Sequence, residues 1–163
     1  MSAPSMLPDD VDLSSNLMWP EAVAAAENAL LALTTEGRPG LIQEERLRRN
    51  LLSSQPLCFN LFGYLGAHEQ SLLPWVRTIQ PEAASIDDVR LEWAPATGTR
   101  GGSAFDAFVS YETGAGNRGF VGVELRGSLL LCGLQQVLGW RVRIRLQQLV
   151  LKRGEIGELL GLV

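Results

Sequence analysis

Asp106 and Glu124 are the pair of side chains in this sequence best placed to do chemistry together, and Arg126 stands two residues beyond the second of them. They belong to a stretch, Ala104 to Arg126, that reads as a β-hairpin. Aromatic and β-branched runs at Phe105–Glu112 and Arg118–Arg126 flank Thr113–Asn117, which carries two glycines. A hairpin folding about Ala115 pairs residues whose numbers sum to 230, so Asp106 stands directly across from Glu124. Side chains opposed in this way share a face, with Cβ atoms roughly 5 Å apart. Two like charges at that separation repel by about 3 kcal/mol at an effective dielectric near 20, a large part of a domain's stability margin. A divalent cation is the natural compensation, and Arg126, the next residue on that face, adds one positive charge beside the two carboxylates.

An Asp opposite a Glu-x-basic tripeptide on adjacent strands, here Asp106 with Glu124-Leu125-Arg126, resembles the core of the PD-(D/E)XK nuclease superfamily. The likeness extends upstream through L-L-S-S-Q-P-L-C-F-N-L-F-G (Leu51–Gly63) and V-R-L-E-W-A-P (Val89–Pro95), which resemble a bacterial family of restriction-endonuclease-like proteins. It covers roughly residues 40 to 126, and the long upstream string is its most specific part. The resemblance implies an α+β, restriction-endonuclease-like core in which Asp106 and Glu124 bind Mg²⁺ together with the Leu125 carbonyl and waters. Asp106, Glu124 and Arg126 would then carry hydrolysis of DNA phosphodiester bonds.

Position 126 departs from the pattern, because the related proteins are expected to carry lysine there. A guanidinium stays protonated, so Arg126 can hold phosphate and stabilise charge but cannot accept a proton as a lysine of lowered pKa can. Two classes of function follow from this. One is a Mg²⁺-dependent endonuclease, of full or reduced activity. The other is a catalytically inactive nuclease-like domain that binds nucleic acid or a protein partner.

The chain of 163 residues, 46% hydrophobic and 20% charged, suits one globular domain. A net charge of −4 gives no general attraction to nucleic acid, so a DNA contact needs a local basic surface. His68 is the only histidine; with no second His or Cys at metal spacing a zinc site is not expected, and the absence of a Ser-His-Asp or Cys-His pairing signal weakens covalent hydrolase readings. Cys58 and Cys132 lie in apolar surroundings without metal-like spacing and read as buried, reduced thiols. The N-terminus lacks the features of a secretory signal, and no run approaches the ~18 apolar residues of a membrane span, which points to a cytoplasmic protein.

The elements that must position the pair read in order. Residues 1–19 have no sustained periodicity and suggest a mobile lead-in to a nuclease-like domain over 20–126. Pro20 opens a helix over Glu21–Thr35, closed by Gly37, Pro39 and Gly40. A second helix is expected over Ile42–Leu52, with Glu44 and Glu45 early and Arg46, Arg48 and Arg49 late. That order suits the helix dipole; alternatively Arg48 and Arg49 approach a phosphate backbone while Glu45 supplies an additional acid. Ser53 or Ser54 caps the next helix, Pro56 enters its first turn, and Gly63 and Gly66 limit its length. Gln55 and Asn60 are polar groups inside this apolar run, tying neighbouring backbone together or contacting substrate.

His68 reads as a solvent-exposed helix start, Glu69–Ile79 as a helix shortened or kinked by Pro74, and 81–88 as a connecting loop. Val89–Trp93 alternates as a half-buried strand that sets Glu92 away from Val89, Leu91 and Trp93, as a solvated residue or a further acid near the site. The sheet expected from Val89 onward is small and mixed, packed on the N-terminal helices, and Ala96–Ser103 is its glycine-rich connector.

The composition changes after Arg126. Residues 127–163 carry a net charge of +3 against −7 for 1–126, and contain no Asp, Asn, Pro, Phe, Tyr, Ala or Thr. The relatives are expected to continue with an aromatic-acidic turn and a helix, so this basic, Leu- and Arg-rich tail reads as an atypical or frameshifted C-terminus, with an incomplete core expected there. Within it, Trp140–Leu146 alternates as a strand with Arg141, Arg143 and Arg145 on one face, as a charged edge or a phosphate-contacting strip.

Overall fold

Alternating apolar residues in the second half of the chain build an antiparallel sheet, and the apolar faces of the preceding helices cover one side of it. This computed structural model describes residues 5–36, 42–94, 105–132 and 135–145, with side-chain surroundings within 5–32, 42–94 and 105–125. The readings made on Gly37, Pro39 and Gly40, on the connector 96–103, and on 146–163 lie outside the described residues.

The helices are α1 (Pro20–Glu36), α2 (Glu44–Arg49), α3 (Ser54–Cys58), α4 (Tyr64–Ala67) and α5 (Glu69–Arg77), with a π-helical turn, Phe59–Gly63, joining α3 to α4. Strands β1 (Ala83–Trp93), β2 (Phe105–Thr113), β3 (Arg118–Cys132) and β4 (Gln135–Arg145) follow in the spatial order β1-β2-β3-β4. The architecture is α+β, helices first and sheet second, as expected. The sheet is not mixed among the described residues: each strand pairs antiparallel with the next.

Two apolar clusters hold the layers together. Ala107, Val109 and Tyr111 of β2 and Val121, Val123 and Leu125 of β3 pack against Cys58, Phe62, Leu72 and Val76. Leu13, Leu17, Ala22, Ala26, Leu47 and Phe59 form the second cluster within the helical layer. Phe105, Phe108 and Phe120 make a third, smaller cluster with Trp93, in which the rings of Phe108 and Phe120 stack at 4.9 Å.

Several local readings are corrected by this packing. Residues 5–19 do not form a detached lead-in, for Leu13 and Leu17 are buried and the Leu7 N–H donates to the Arg49 carbonyl at 2.9 Å. Helix α2 stops at Arg49 because Asn50 turns extended and bridges to Met6. Gly63 does not limit its helix but lies inside it. A Cβ there would sit 3.1 Å from the Ala22 Cα, so the residue serves close approach to α1. Strand β1 begins at Ala83, inside the expected loop. Register shifts at Ala83/Ser85 and Ile86/Asp88 break the two-residue period by which a strand is recognised. His68 is part-buried rather than exposed, with its Nε2 3.2 Å from Glu21 Oε1 and its ring 4.3 Å from that of Tyr64.

Phe59 is fully buried at the start of the π-helical turn, where the helical cluster leads toward the sheet. Phe59→Ala is expected to lower unfolding free energy by about 3–5 kcal/mol, measured by urea denaturation with an unchanged slope.

Candidate functional site

The hairpin register expected from the sequence is the one observed. Pairs run from Glu112↔Arg118 to Ala107↔Val123, every one summing to 230, and the described pairing ends there; Asp106 and Glu124 follow, and the alternation of β2 breaks at Asp106, because Phe105 packs with Phe108 and Phe120. The turn is closed by the Thr113 N–H donating to the Asn117 carbonyl at 2.8 Å, with Gly116 at φ +77°. Glycine suits that left-handed position because a Cβ there is strained.

Asp106 is anchored twice. Its carboxylate Oδ2 accepts from the Leu125 backbone N–H, which brings it beside the residue that follows Glu124. Its carbonyl accepts from the Cys58 thiol at 2.7 Å. Glu124 is half-buried, and β4 places Arg143 at the register position opposite it and Arg141 opposite Arg126. The Arg126 side chain lies outside the described surroundings.

Glu92 joins this region from β1, where the pairs Leu91↔Ala107 and Trp93↔Phe105 bracket Glu92 and Asp106. Simple alternation would leave Glu92 on the face away from Leu91 and Trp93. Instead its φ is +47°, a left-handed conformation that L side chains seldom adopt. The alternation breaks there: Trp93 packs on Phe108 at 4.5 Å, and the Arg90 guanidinium lies 5.4 Å from the Trp93 ring. The Glu92 Oε2 accepts from the Gln55 Nε2 of α3 at 3.2 Å, while Oε1 is buried with no hydrogen-bond partner among the described residues. The solvated reading of Glu92 is therefore corrected by its backbone conformation, which no period-two pattern announces.

Burial is the main cause that raises the Glu92 pKa from 4.5 to about 7; the charge of Asp106 raises it further, and the Gln55 hydrogen bond and Arg46 oppose the rise. Burial first, and then the charges of Glu92 and Asp106, likewise push the Cys58 thiol well up, against a hydrogen bond from the Glu92 backbone. Cys58 is thus a reduced, buried thiol in contact with the backbones of both β1 and β2. Sequence reasoning recognised its burial but not its part in holding these two strands, since neither contact is local in sequence.

The remaining candidates sit as follows. Gln55 is buried, and its Oε1 accepts from the Gln43 N–H at 3.2 Å while its amide donates to Glu92, so it links the start of α2 to β1. Asn60 ties the N-terminal segment to the π-helical turn, accepting from the Met18 N–H at 2.6 Å and donating to the Asn16 carbonyl at 3.2 Å. Arg48 pairs with Glu44 at 2.9 Å. Arg49 pairs with Glu45 at 3.2 Å and with Asp9, and donates to the Leu7 carbonyl at 2.9 Å. Glu45 is thus on an exposed face of α2. Among the described residues, no three acidic, histidine or cysteine side chains converge in metal-binding geometry.

The raised Glu92 pKa makes stability fall with pH. Between pH 4.5 and 7 the folded state holds a proton that the unfolded chain has released, so the penalty is absent below about 4.5 and complete above about 7. Its full size is on the order of 3 kcal/mol. Glu92→Gln is expected to raise the melting temperature by about 5–10 °C at pH 8 and to change it little at pH 4.5. Thermal scans of both proteins across that range check this, and a gain independent of pH would count against a buried charge at Glu92.

Comparison with known proteins bears on what this arrangement is. No curated protein and no solved structure matches the chain. The family model for the PD-(D/E)XK nuclease superfamily matches residues 1–126, ending at the residue after which the composition changes. With the match covering more than three quarters of the sequence, and with its end falling on the Glu-x-basic tripeptide of β3, the chain belongs to the PD-(D/E)XK nuclease superfamily.

Proposed function

We propose that this protein is a Mg²⁺-dependent endonuclease that hydrolyses DNA phosphodiester bonds, acting in the cytoplasm. The observation that supports the reading is the register of β2 and β3, whose pairing runs to Ala107↔Val123, immediately before Asp106 and Glu124, with the Asp106 carboxylate held by the Leu125 N–H. The donor set fits the ion: carboxylates and a backbone carbonyl are hard oxygens, and Mg²⁺ is commonly held by one or two carboxylates with water and substrate phosphate completing its shell. The buried Oε1 of Glu92, near Asp106 and without a hydrogen-bond partner among the described residues, adds an acceptor that a hydrated cation could satisfy.

In this reading Asp106, Glu124 and the Leu125 carbonyl hold the ion. When bound, Mg²⁺ supplies polarisation of the scissile phosphate and a lowered pKa for the attacking water. Arg126 holds a phosphate oxygen and offsets the charge that grows in the transition state, an electrostatic role for which a permanently charged guanidinium is suited. It does not take up a proton. Arg141, Arg143 and Arg145 pair in register with Arg126, Glu124 and Gly122 of β3, and in this reading they would track the phosphate backbone.

The arginine at position 126 also favours a second reading, a nuclease-like domain that binds nucleic acid or a protein partner without cutting. Plasmid nicking with and without Mg²⁺ separates the two, run beside a filter-binding assay on the same DNA. Mg²⁺-dependent nicking that falls at least ~100-fold in Asp106→Ala is the expected result. Retained DNA binding with no nicking would establish the second reading instead, and nicking unaffected by the substitution would point to a contaminant.

A further inference from the structure

We infer that Glu92 is the residue that receives a water of the cation's hydration shell, with Gln55 as the residue that positions it. This rests on the proposed Mg²⁺ site at Asp106 and Glu124 and assigns it a part that neither carboxylate can fill.

Four observations converge. The Glu92 Oε1 is buried and has no partner among the described residues, an uncommon state for a carboxylate oxygen, which in proteins is nearly always supplied with donors. The side chain reaches this place only through a left-handed backbone, and such strain persists where surrounding structure enforces it, often at functional sites. Gln55 grips Oε2 and is itself gripped by the Gln43 N–H, so the carboxylate is held from two elements rather than left to swing out to solvent. Cys58 touches the backbones of both Glu92 and Asp106, which keeps the two acids in one neighbourhood.

The chemistry selects the missing partner. Oε1 accepts and cannot donate while ionised, so the site lacks a donor. A third direct ligand is not what the geometry offers, because no three acidic groups converge among the described residues. Water bound to Mg²⁺ is a strong donor, Mg²⁺ retains several such waters, and groups that bind a metal's ligands from behind commonly govern its affinity. A water between Glu92 and the ion satisfies Oε1 and relieves the repulsion between the Glu92 and Asp106 carboxylates.

The test is metal binding, not turnover. Mg²⁺ is titrated calorimetrically at pH 8 into the wild type, Glu92→Gln, Gln55→Met and Asp106→Asn, with folding checked by circular dichroism. Mn²⁺ paramagnetic resonance in ¹⁷O-labelled water then counts the bound waters. Expected are ~10–100-fold weaker Mg²⁺ binding in Glu92→Gln, a smaller loss in Gln55→Met, near abolition in Asp106→Asn, and an unchanged number of waters on Mn²⁺ in Glu92→Gln. Wild-type affinity in Glu92→Gln beside a loss in Asp106→Asn overturns this inference and leaves the metal site standing. One extra water on Mn²⁺ in Glu92→Gln also overturns it, by making Glu92 a direct ligand. No Mg²⁺ uptake by the wild type, or equal uptake by Asp106→Asn, overturns the site itself and this inference with it.

Discussion

The pairing register of β2 and β3 is the constraint on which the candidate site depends. Side chains alternate along a strand with a period of two, so a slip of one residue would carry Ala107, Val109 and Val121, Val123 from the helical layer to the opposite face. Those residues are fully or nearly fully buried, and exposing them would forfeit about 1.5–3 kcal/mol for each valine-sized side chain. The apolar face therefore locks the register as far as Ala107↔Val123, the pair that Asp106 and Glu124 adjoin. The hydrogen bond from the Leu125 N–H to the Asp106 carboxylate is a consequence of that lock.

The helical layer acts on the site through a few non-local contacts rather than through its own charged face. Cys58, in α3, reaches the Asp106 carbonyl, and Gln55, three residues earlier, reaches Glu92. A residue and its neighbour three along lie on the same side of a helix, so one short helix can serve two adjacent strands. Helix α3 is held in place by the Ser53 hydroxyl, which accepts from the Gln55 N–H at 3.3 Å, and by the π-helical turn that follows it. The arginines of α2 that looked available for phosphate are engaged instead in ion pairs with Glu44, Glu45 and Asp9, and through Arg49 they secure the N-terminal segment.

Buried charge sets the cost of the arrangement. Glu92 is enclosed near Asp106, compensated in part by Gln55 and Arg46, and its carboxyl is pushed up to about 7 in consequence. An acid so placed destabilises the fold whenever it is ionised. Such local conflict with the packing rules tends to mark positions retained for function, and here it falls beside Asp106. On the other side of β3, Arg143 of β4 is the register neighbour of Glu124.

Much of this was legible in the residues themselves. The hairpin, its turn and its register follow from aromatic and β-branched runs around two glycines, because those signals are local and the period of a strand leaves few alternatives. A helix over Glu21–Thr35, a cap at Ser53 or Ser54 and a strand over Trp140–Leu146 were equally local readings; α1 spans Pro20–Glu36, Ser53 caps α3, and β4 runs through Trp140 to Arg145. Three things needed the tertiary structure. Strand β1 extends back to Ala83 through two register shifts, and those are held by its partner strand rather than by any pattern of its own. Gly63 fits the close approach of another helix, not the end of its own. Glu92 turns inward through a left-handed backbone that only the packing of Trp93, Phe108 and Gln55 around it can enforce. The sequence by itself determined the hairpin register from Glu112↔Arg118 to Ala107↔Val123, since that depends on counting along one hairpin. Only the folded chain decided that Glu92 stands near Asp106, since that depends on where a separate strand and helix come to rest.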